Sequence, residues 1–357
     1  MRRLVGRSAP AWWMAMAIAG CGHSSESPPP SSAPSANANG GVSETPPPPE
    51  PASAALAPIE VHEWGLVDIP RMGPAEIGTG PGRPVPMSVR KPVLYVHADP
   101  GAPPITIDVR VDMPHGEVLE VWPTSSEWPS THVEPTSILW RGLTVSGCEG
   151  APTRGPLAAR EATGCATADG YCEVNDLPGY VTSDASCLVA NGTSASLLFY
   201  RGRATTVAVP LQIVSAESVM SHTTGGSPIL RFRSGHGSET PWPIPGPPAT
   251  LAPDTLDGDA LAHRLHVLLM EAGLTSPEAD AFLRAWSESM FGVPWGGDAV
   301  RDAPSPSARR GRALAADPPV AIYILPETLV APIAELTITP TPRVVRRVMV
   351  VRVELPG

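Results

Sequence analysis

Three consecutive side chains, His62, Glu63 and Trp64, carry the first candidate chemistry of this sequence. Imidazole plus carboxylate is the smallest set that makes a metal-ligand pair or an acid–base pair. Strand geometry divides the three. Successive side chains of a strand point to opposite faces, so His62 and Glu63 in one strand cannot jointly serve one site. His62 and Trp64 would share a face and offer a surface for stacking a glycan or another ligand. The competing reading is structural: a buried Trp64, with His62 and Glu63 hydrogen-bonded at a sheet edge. The second candidate is a metal set, Asp259, His263 and His266. At 100° per residue these cluster with Met270 opposite a leucine stripe, and an i, i+3 histidine pair can hold a metal. No third strong ligand is fixed on the same helix, so a solvated face is the better reading of the pattern. His222 and His236 lie in or beside glycine-bearing loops, where a histidine can be mobile and reactive, yet nothing pairs either with a nucleophile.

Familiar enzyme signatures are missing. The chain has no GxSxG elbow, no HExxH, no P-loop and no GxGxxG after a strand. Triads are recognised by geometry and not by order, so this lowers the expectation of an enzyme without excluding one. Catalytic residues are unassigned, and no cofactor is expected. Beyond the N-terminal Trp12 and Trp13, the chain carries Trp64, Trp122, Trp128, Trp140, Trp242, Trp286 and Trp295. They suit a core, and some suit a sugar-binding groove.

The elements that must position these residues are mostly strands. In residues 105–112, Ile105, Ile107, Val109 and Val111 face one way and Thr106, Asp108, Arg110 and Asp112 the other, the pattern of a half-buried strand. Similar runs occupy 92–97, 117–122, 137–145, 196–203, 205–214 and 229–233, separated by Gly/Pro turns. No strand–helix alternation accompanies them, which argues against a Rossmann-type domain and for a β-sandwich. Two helices follow. Residues 256–272 put Leu261, Leu265, Leu268, Leu269 and Ala272 on one stripe, with Gly273 just past the end. Ser276-Pro277-Glu278 supplies an N-cap, a proline at the first position and an acid in the first turn of a helix carrying Phe282, Trp286 and Phe291. Strands close the chain at 320–325, 335–339 and 343–355, the last long, β-branched and expected to return to a sheet near the core.

The N-terminus gives an address. Arg2, Arg3 and Arg7 precede an apolar run over 11–19 that is too short for a bilayer, which needs about 20 residues, but suits a secretory signal. Its end, Ile18-Ala19-Gly20-Cys21, resembles the lipobox of bacterial lipoproteins. The resemblance implies that the Cys21 thiol receives a diacylglyceryl group and that the peptide is cut before it. The alternative is an ordinary signal peptide with an incidental cysteine. Gly22 stands where aspartate would mark inner-membrane retention in enteric bacteria, which points to the outer membrane. Residues 22–58 hold ten prolines and eight serines, with no aromatic residue, lysine or arginine. Such a segment buries too little apolar surface to offset ordering entropy and reads as a tether. After residues 1–20 are removed, 22 basic stand against 35 acidic side chains, a net charge near −13. That argues against nucleic acid and anionic headgroups as partners of the folded part. The remaining cysteines, Cys148, Cys165, Cys172 and Cys187, form an even set without CxxC spacing. In an exported protein they imply disulfides. Three connectivities are open; sequential pairing, Cys148–Cys165 and Cys172–Cys187, is preferred.

VHEWGLV at 61–67, KPVLYV at 91–96, LFYRGR at 198–203, WSESMFG at 286–292, YILPE at 323–327 and the terminal VVRRVMVVRVEL resemble, in the same order, an uncharacterised exported family of myxobacteria and planctomycetes whose members read HEWGTFT near the start. Here Leu66-Val67 replaces Thr-Phe. The resemblance implies export and supplies no catalytic residue.

The expected organisation is therefore a signal peptide at 1–20, a lipidated Cys21 and tether at 21–58, and a β-rich domain at 59–233 with a disulfide-stapled loop over 146–190. A Pro-rich connector at 234–255, a helical hairpin at 256–292, a flexible loop at 293–318 and C-terminal strands at 319–357 complete it. The fold class is mainly β (α+β), sandwich-like, with a helical hairpin and a returning long strand. The functional expectation is a cell-envelope lipoprotein, a non-catalytic binding or structural module. Its expected partners are the membrane, through the anchor, and an envelope protein or glycan. The rival is an envelope hydrolase or metal-dependent enzyme centred on His62 and Glu63 or the loop histidines.

Overall fold

A computed structural model describes residues 56–69, 85–123, 135–146, 180, 182, 184–190, 193–206, 209–296 and 319–356. They belong to the unit Ala54–Gly357; the other unit, Met1–Ser53, lies outside the described residues and includes Cys21, the signal segment and the tether as far as Ser53, while Ala57 and Pro58, read as the end of the tether, open β1. Among the described residues no helix is long and apolar enough to cross a membrane.

The fold is mainly β and sandwich-like, with two helices near the C-terminus. Its strands are β1 (Ala57–Ile69), β2 (Val85–Ala98), β3 (Ile105–Asp112), β4 (Gly116–Trp122), β5 (Ser137–Ser146), β6 (Cys187–Ala190), β7 (Thr193–Ala195), β8 (Leu198–Thr206) and β9 (Leu211–Ser215). Then come β10 (Ser218–Ser221), β11 (Ile229–Arg233), β12 (His236–Thr240), β13 (Ala249–Thr250), β14 (Leu256–Asp257), helices α1 (Gly258–Glu271) and α2 (Ser276–Phe291), and strands β15 (Val320–Ile324), β16 (Glu335–Thr339) and β17 (Pro342–Glu354). A nine-stranded sheet runs β14-β12-β11-β15-β17-β1-β2-β8-β4; a five-stranded sheet runs β16-β3-β5-β6-β7; and β13-β10-β9 form a small third sheet.

Period-two patterning makes β3 as expected: Ile107, Val109 and Val111 are buried while Thr106 and Arg110 are exposed. Two readings change. The run at 205–214 is two strands, because β8 ends at Thr206 and β9 begins at Leu211. The segment read as a connector, 234–255, contains β12 and β13. Its start is a hairpin: Ser234 (φ 49°) and Gly235 (φ 90°) both take positive φ, the two-residue turn whose twist suits antiparallel strands.

β1 sits in the interior of the large sheet, antiparallel to β2 and parallel to β17. The HEW stretch is thus in a central strand and not at a sheet edge. The register against β2 slips beside Gly65, where a Cβ would meet the Pro92 backbone at 3.1 Å and Met349 Sδ at 3.0 Å. Parallel pairing with β17 sets Glu63 opposite Arg347 and Asp68 opposite Arg352. Both pairs are buried ion pairs. Arg347 Nε donates to Glu63 Oε2 at 2.5 Å and Arg352 Nη1 to Asp68 Oδ1 at 2.8 Å. Tyr200 on β8 donates its hydroxyl to the other Glu63 oxygen at 2.7 Å, and Arg347 Nη1 donates to the Ala334 carbonyl at 2.6 Å. The Tyr200 hydroxyl is pushed well above its usual range by burial, and the Glu63 charge adds to this.

Removing one partner of a buried pair strands the other charge, at a cost of about 3–5 kcal/mol, whereas an apolar replacement of both is often near neutral. Arg347→Ala should therefore destabilise by about that amount. Glu63→Leu combined with Arg347→Met should recover most of the loss, with urea midpoints as the measurement. A single substitution costing under about 1 kcal/mol would show that this pair does not hold β17.

Candidate functional site

The face of β1 opposite Glu63 carries His62 and Trp64, so the predicted division of the HEW stretch holds. Strand pairing sets Tyr95 beside His62 and His97 beside Glu60, which brings His62 and His97 onto one face. Helix α2 covers it. Phe282 meets Trp64 edge-on at 5.4 Å, and Tyr180 stacks on Trp64 at 5.4 Å. Trp64 is wholly buried. It is a core residue and not a sugar platform, as are Trp122, Trp140 and Trp286. Aromatic pairs of this kind contribute about 0.5–1.5 kcal/mol each beyond area burial.

The start of α2 then delivers a carboxylate to the histidines. The N-cap is Thr275, one residue before the expected Ser276. Its hydroxyl accepts from Glu278 N at 3.3 Å, and Thr275 N donates to Glu278 Oε2 at 2.8 Å, a reciprocal capping box. Glu278 is fully buried. Its Oε2 lies 2.9 Å and its Oε1 3.1 Å from His62 Nδ1, and Oε1 lies 2.9 Å from His97 Nε2. The two imidazole centroids are 4.7 Å apart. One ligand atom from each of the three residues can be chosen so that all lie within 4.8 Å of one another.

Electrostatics hold this carboxylate ionised. Burial alone would push the Glu278 carboxyl up. Hydrogen bonds from His62 and His97, the charge of His62 and the Thr275 N–H override it and hold the carboxyl at about 2, against an ordinary 4.5. The α2 N-terminus favours negative charge in the same place. His97 Nδ1 lies 3.0 Å from the Asp184 carbonyl. Carbonyl and carboxylate oxygens only accept, so with Glu278 ionised these two contacts favour the doubly protonated ring of His97. Burial would lower its pKa; the hydrogen bond and charge of Glu278 and the Asp184 carbonyl outweigh that and raise it. Tyr95, facing His62, is pushed well above its usual range by burial and then by Glu278, and its hydroxyl donates to the Tyr180 carbonyl at 2.5 Å.

The other candidates do not converge. His263 is exposed, and its Nδ1 bonds the Asp259 backbone carbonyl at 2.9 Å, not the carboxylate. His266 stacks on Trp295 at 5.3 Å and lies 3.2 Å from Asp280 Oδ1, which also accepts from Trp295 Nε1 at 2.9 Å. This joins α1, α2 and the segment after α2, and replaces the metal set expected of Asp259, His263 and His266: among the described residues the one such group is His62, His97 and Glu278. His222 and His236 are exposed. Glu63 is excluded from the His62 site by facing the other way. Cys187 is buried and begins β6; Cys148, Cys165 and Cys172 lie outside the described residues.

His97 was not singled out in the sequence, and Glu278 only as the acid in the first turn of its helix. His97 ends an otherwise apolar strand run, in phase with Tyr95, and Thr275-x-x-Glu278 has capping-box spacing; both signals are local and neither names its partner.

No family model matches the chain, and no curated protein matches it. Among solved structures, the Fcho1 Mu homology domain of Danio rerio with bound Eps15 peptide shares 9% identity over 84% of this chain and 98% of that one, at a TM-score of 0.30. A likeness that slight carries no argument about fold or ligand.

In chelator-treated protein, Glu278 contributes stability present above about pH 4.5 and lost as pH falls towards 2, on the order of 3 kcal/mol from the shift. His97, raised above 6.5, contributes below that value and loses its contribution as pH rises through its folded pKa. The joint contribution is greatest between about pH 4.5 and 6.5. Urea midpoints from pH 2.5 to 8 should show an acid limb that Glu278→Gln flattens; the same limb in both proteins would dismiss this role.

Proposed function

We propose that this chain is a cell-envelope lipoprotein whose folded part is a non-catalytic binding or structural module. The anchor is Cys21, the last residue of Ile18-Ala19-Gly20-Cys21, behind a basic n-region and an apolar run. Two or three acyl chains suffice for stable membrane attachment. Residues 22–58 tether the folded unit, Gly22 favours the outer membrane, and the four later cysteines suit an oxidising compartment as disulfides.

One observation carries the structural half of the reading. The side chains of His62, Glu63 and Trp64 tie β1 to two of its neighbours: His62 and Trp64 to α2 through Glu278 and Phe282, and Glu63 to β17 through Arg347. The partners proposed are the membrane, through the lipid, and an envelope protein or glycan for the folded unit. A metal-dependent reading is favoured by one specific arrangement, the meeting of His62 and His97 on Glu278.

Mass spectrometry of the protein from its native membranes should show a mature chain that begins at Cys21 and carries a diacylglyceryl thioether. Cys21→Ala should take up no labelled fatty acid and should leave the membrane fraction. A native protein that retains Met1 and a free Cys21 thiol overturns the assignment.

A further inference from the structure

We propose that His62, His97 and Glu278 bind one divalent transition-metal ion of the zinc class. The proposal stands apart from the envelope address, since it is carried by side-chain geometry alone. Two imidazoles and a carboxylate are a donor set suited to zinc and its neighbours, whereas calcium and magnesium take oxygen donors and soft ions take thiolates. One ring nitrogen of His62, one of His97 and a Glu278 oxygen lie within 4.8 Å of one another, and the nitrogens that face the carboxylate are His62 Nδ1 and His97 Nε2. Ligand atoms about 2.0–2.2 Å from a tetrahedral ion sit a little over 3 Å apart. The observed contacts of 2.9 Å between each ring and the carboxylate need to open by only a few tenths of an ångström.

The surroundings are those of a ligand set as well. A metal-bound histidine usually donates its second ring nitrogen to a carbonyl or carboxylate, which fixes the ring. His97 does so: Nδ1 faces the Asp184 carbonyl at 3.0 Å while Nε2 faces the site. His62 presents Nε2 towards Glu60 Oε2 at 3.7 Å, with Nδ1 aimed at the site. Glu60 is itself held by Arg343 at 2.7 Å. The Thr275 N–H holds Glu278 Oε2, which positions Oε1 towards both rings. A helix cap needs the backbone contacts alone; it does not require two imidazoles that both turn a ring nitrogen to one carboxylate. The supporting elements are a central strand, its neighbour and a capped helix start, so the donors sit on rigid backbone. His97, the partly exposed member at 17% of its side chain, is the side from which an ion or a fourth, exchangeable ligand enters. Three protein donors plus one open position is the arrangement of reactive zinc sites.

The test uses the full-length chain purified in detergent, stripped with chelator and titrated with Zn2+ by calorimetry and with Co2+ by visible absorption. The expected result is one ion per chain and a cobalt spectrum of tetrahedral type. X-ray absorption at the zinc edge should show two imidazoles in a nitrogen/oxygen shell without sulfur. His97→Ala, at the exposed member, should weaken zinc at least tenfold, and Glu278→Gln should do the same. His263→Ala combined with His266→Ala should leave affinity unchanged. Absence of saturable one-to-one binding overturns the proposal. So does binding that survives His97→Ala, or that is lost in the His263→Ala/His266→Ala protein instead. The absorption measurement on the unsubstituted chain decides the matter if a variant fails to fold.

Discussion

A central strand must satisfy both of its edges and both of its faces, and β1 does so with partners drawn from the whole length of the unit. One edge pairs with β2 and the other with β17, in parallel, across a separation of 284 residues at Glu63–Arg347. Loop-closure entropy grows only slowly with length, so this distance is tolerable once the partners fit. What makes them fit is charge. Glu63 points into the interior on one side of β1, and a buried carboxylate without a partner is far costlier than an unfilled apolar site. Arg347 meets it only in the observed register, and Asp68 with Arg352 repeats the condition five residues on. A one-residue slip would point every side chain of β17 to the other face and leave both carboxylates unpaired. The ion pairs therefore specify the register of a strand pairing whose apolar composition alone leaves it loosely fixed.

The same logic acts on the opposite face, with histidine in place of arginine. Glu278 is buried, ionised and reached by two imidazoles and one backbone N–H. Trp64, Tyr180 and Phe282 press α2 onto the sheet without direction. The carboxylate adds direction, since only one rotation of α2 brings Glu278 onto both rings. Packing contributes most of the free energy, and the polar contacts select the arrangement. This division also explains why the donor set is well held: the residues that align α2 are the residues that face one another across the site.

Much of this was legible locally and little of it at long range. Period-two alternation gave β3 its bounds and its buried face, the leucine stripe gave α1, and Gly292 closes α2 in the left-handed conformation as its position suggests. The opposite facing of His62 and Glu63 follows from strand geometry alone. The Thr275 cap was missed although Thr-x-x-Glu was in view, because Ser276-Pro277 offers a second plausible start; the reciprocal bond from Thr275 N to Glu278 decides between them. The Pro-rich run after residue 240 concealed β12, while Ser234-Gly235 marked its hairpin. Asp259, His263 and His266 share a helix face by spacing, yet Asp280 and Trp295 arrive from elsewhere and engage His266 first. The meeting of residues 62, 97 and 278 depends on the β1–β2 register and on where α2 docks, and a single sequence states neither.

Concentrating polar groups around one strand has a consequence for how the fold is held. Buried ion pairs are weak contributors to net stability, because desolvation offsets much of their attraction. A protein that needed only a stable sandwich would do as well with leucine at 63 and 347. Here the charges lie on both faces of the strand that neighbours β2 and β17, where a wrong pairing would be most damaging. His62 differs from the arginines in one respect that matters for function. A guanidinium cannot give up its proton and offers no lone pair, so the Glu63–Arg347 side is locked as a structural contact. An imidazole can release its proton and present a nitrogen donor. The fold has placed Arg347 on one face of β1 and, on the other, the exchangeable donors of His62 and His97 beside a second fixed pair, Asp68–Arg352; only the imidazoles can pass from a hydrogen-bonded staple to a ligand site without rebuilding the backbone.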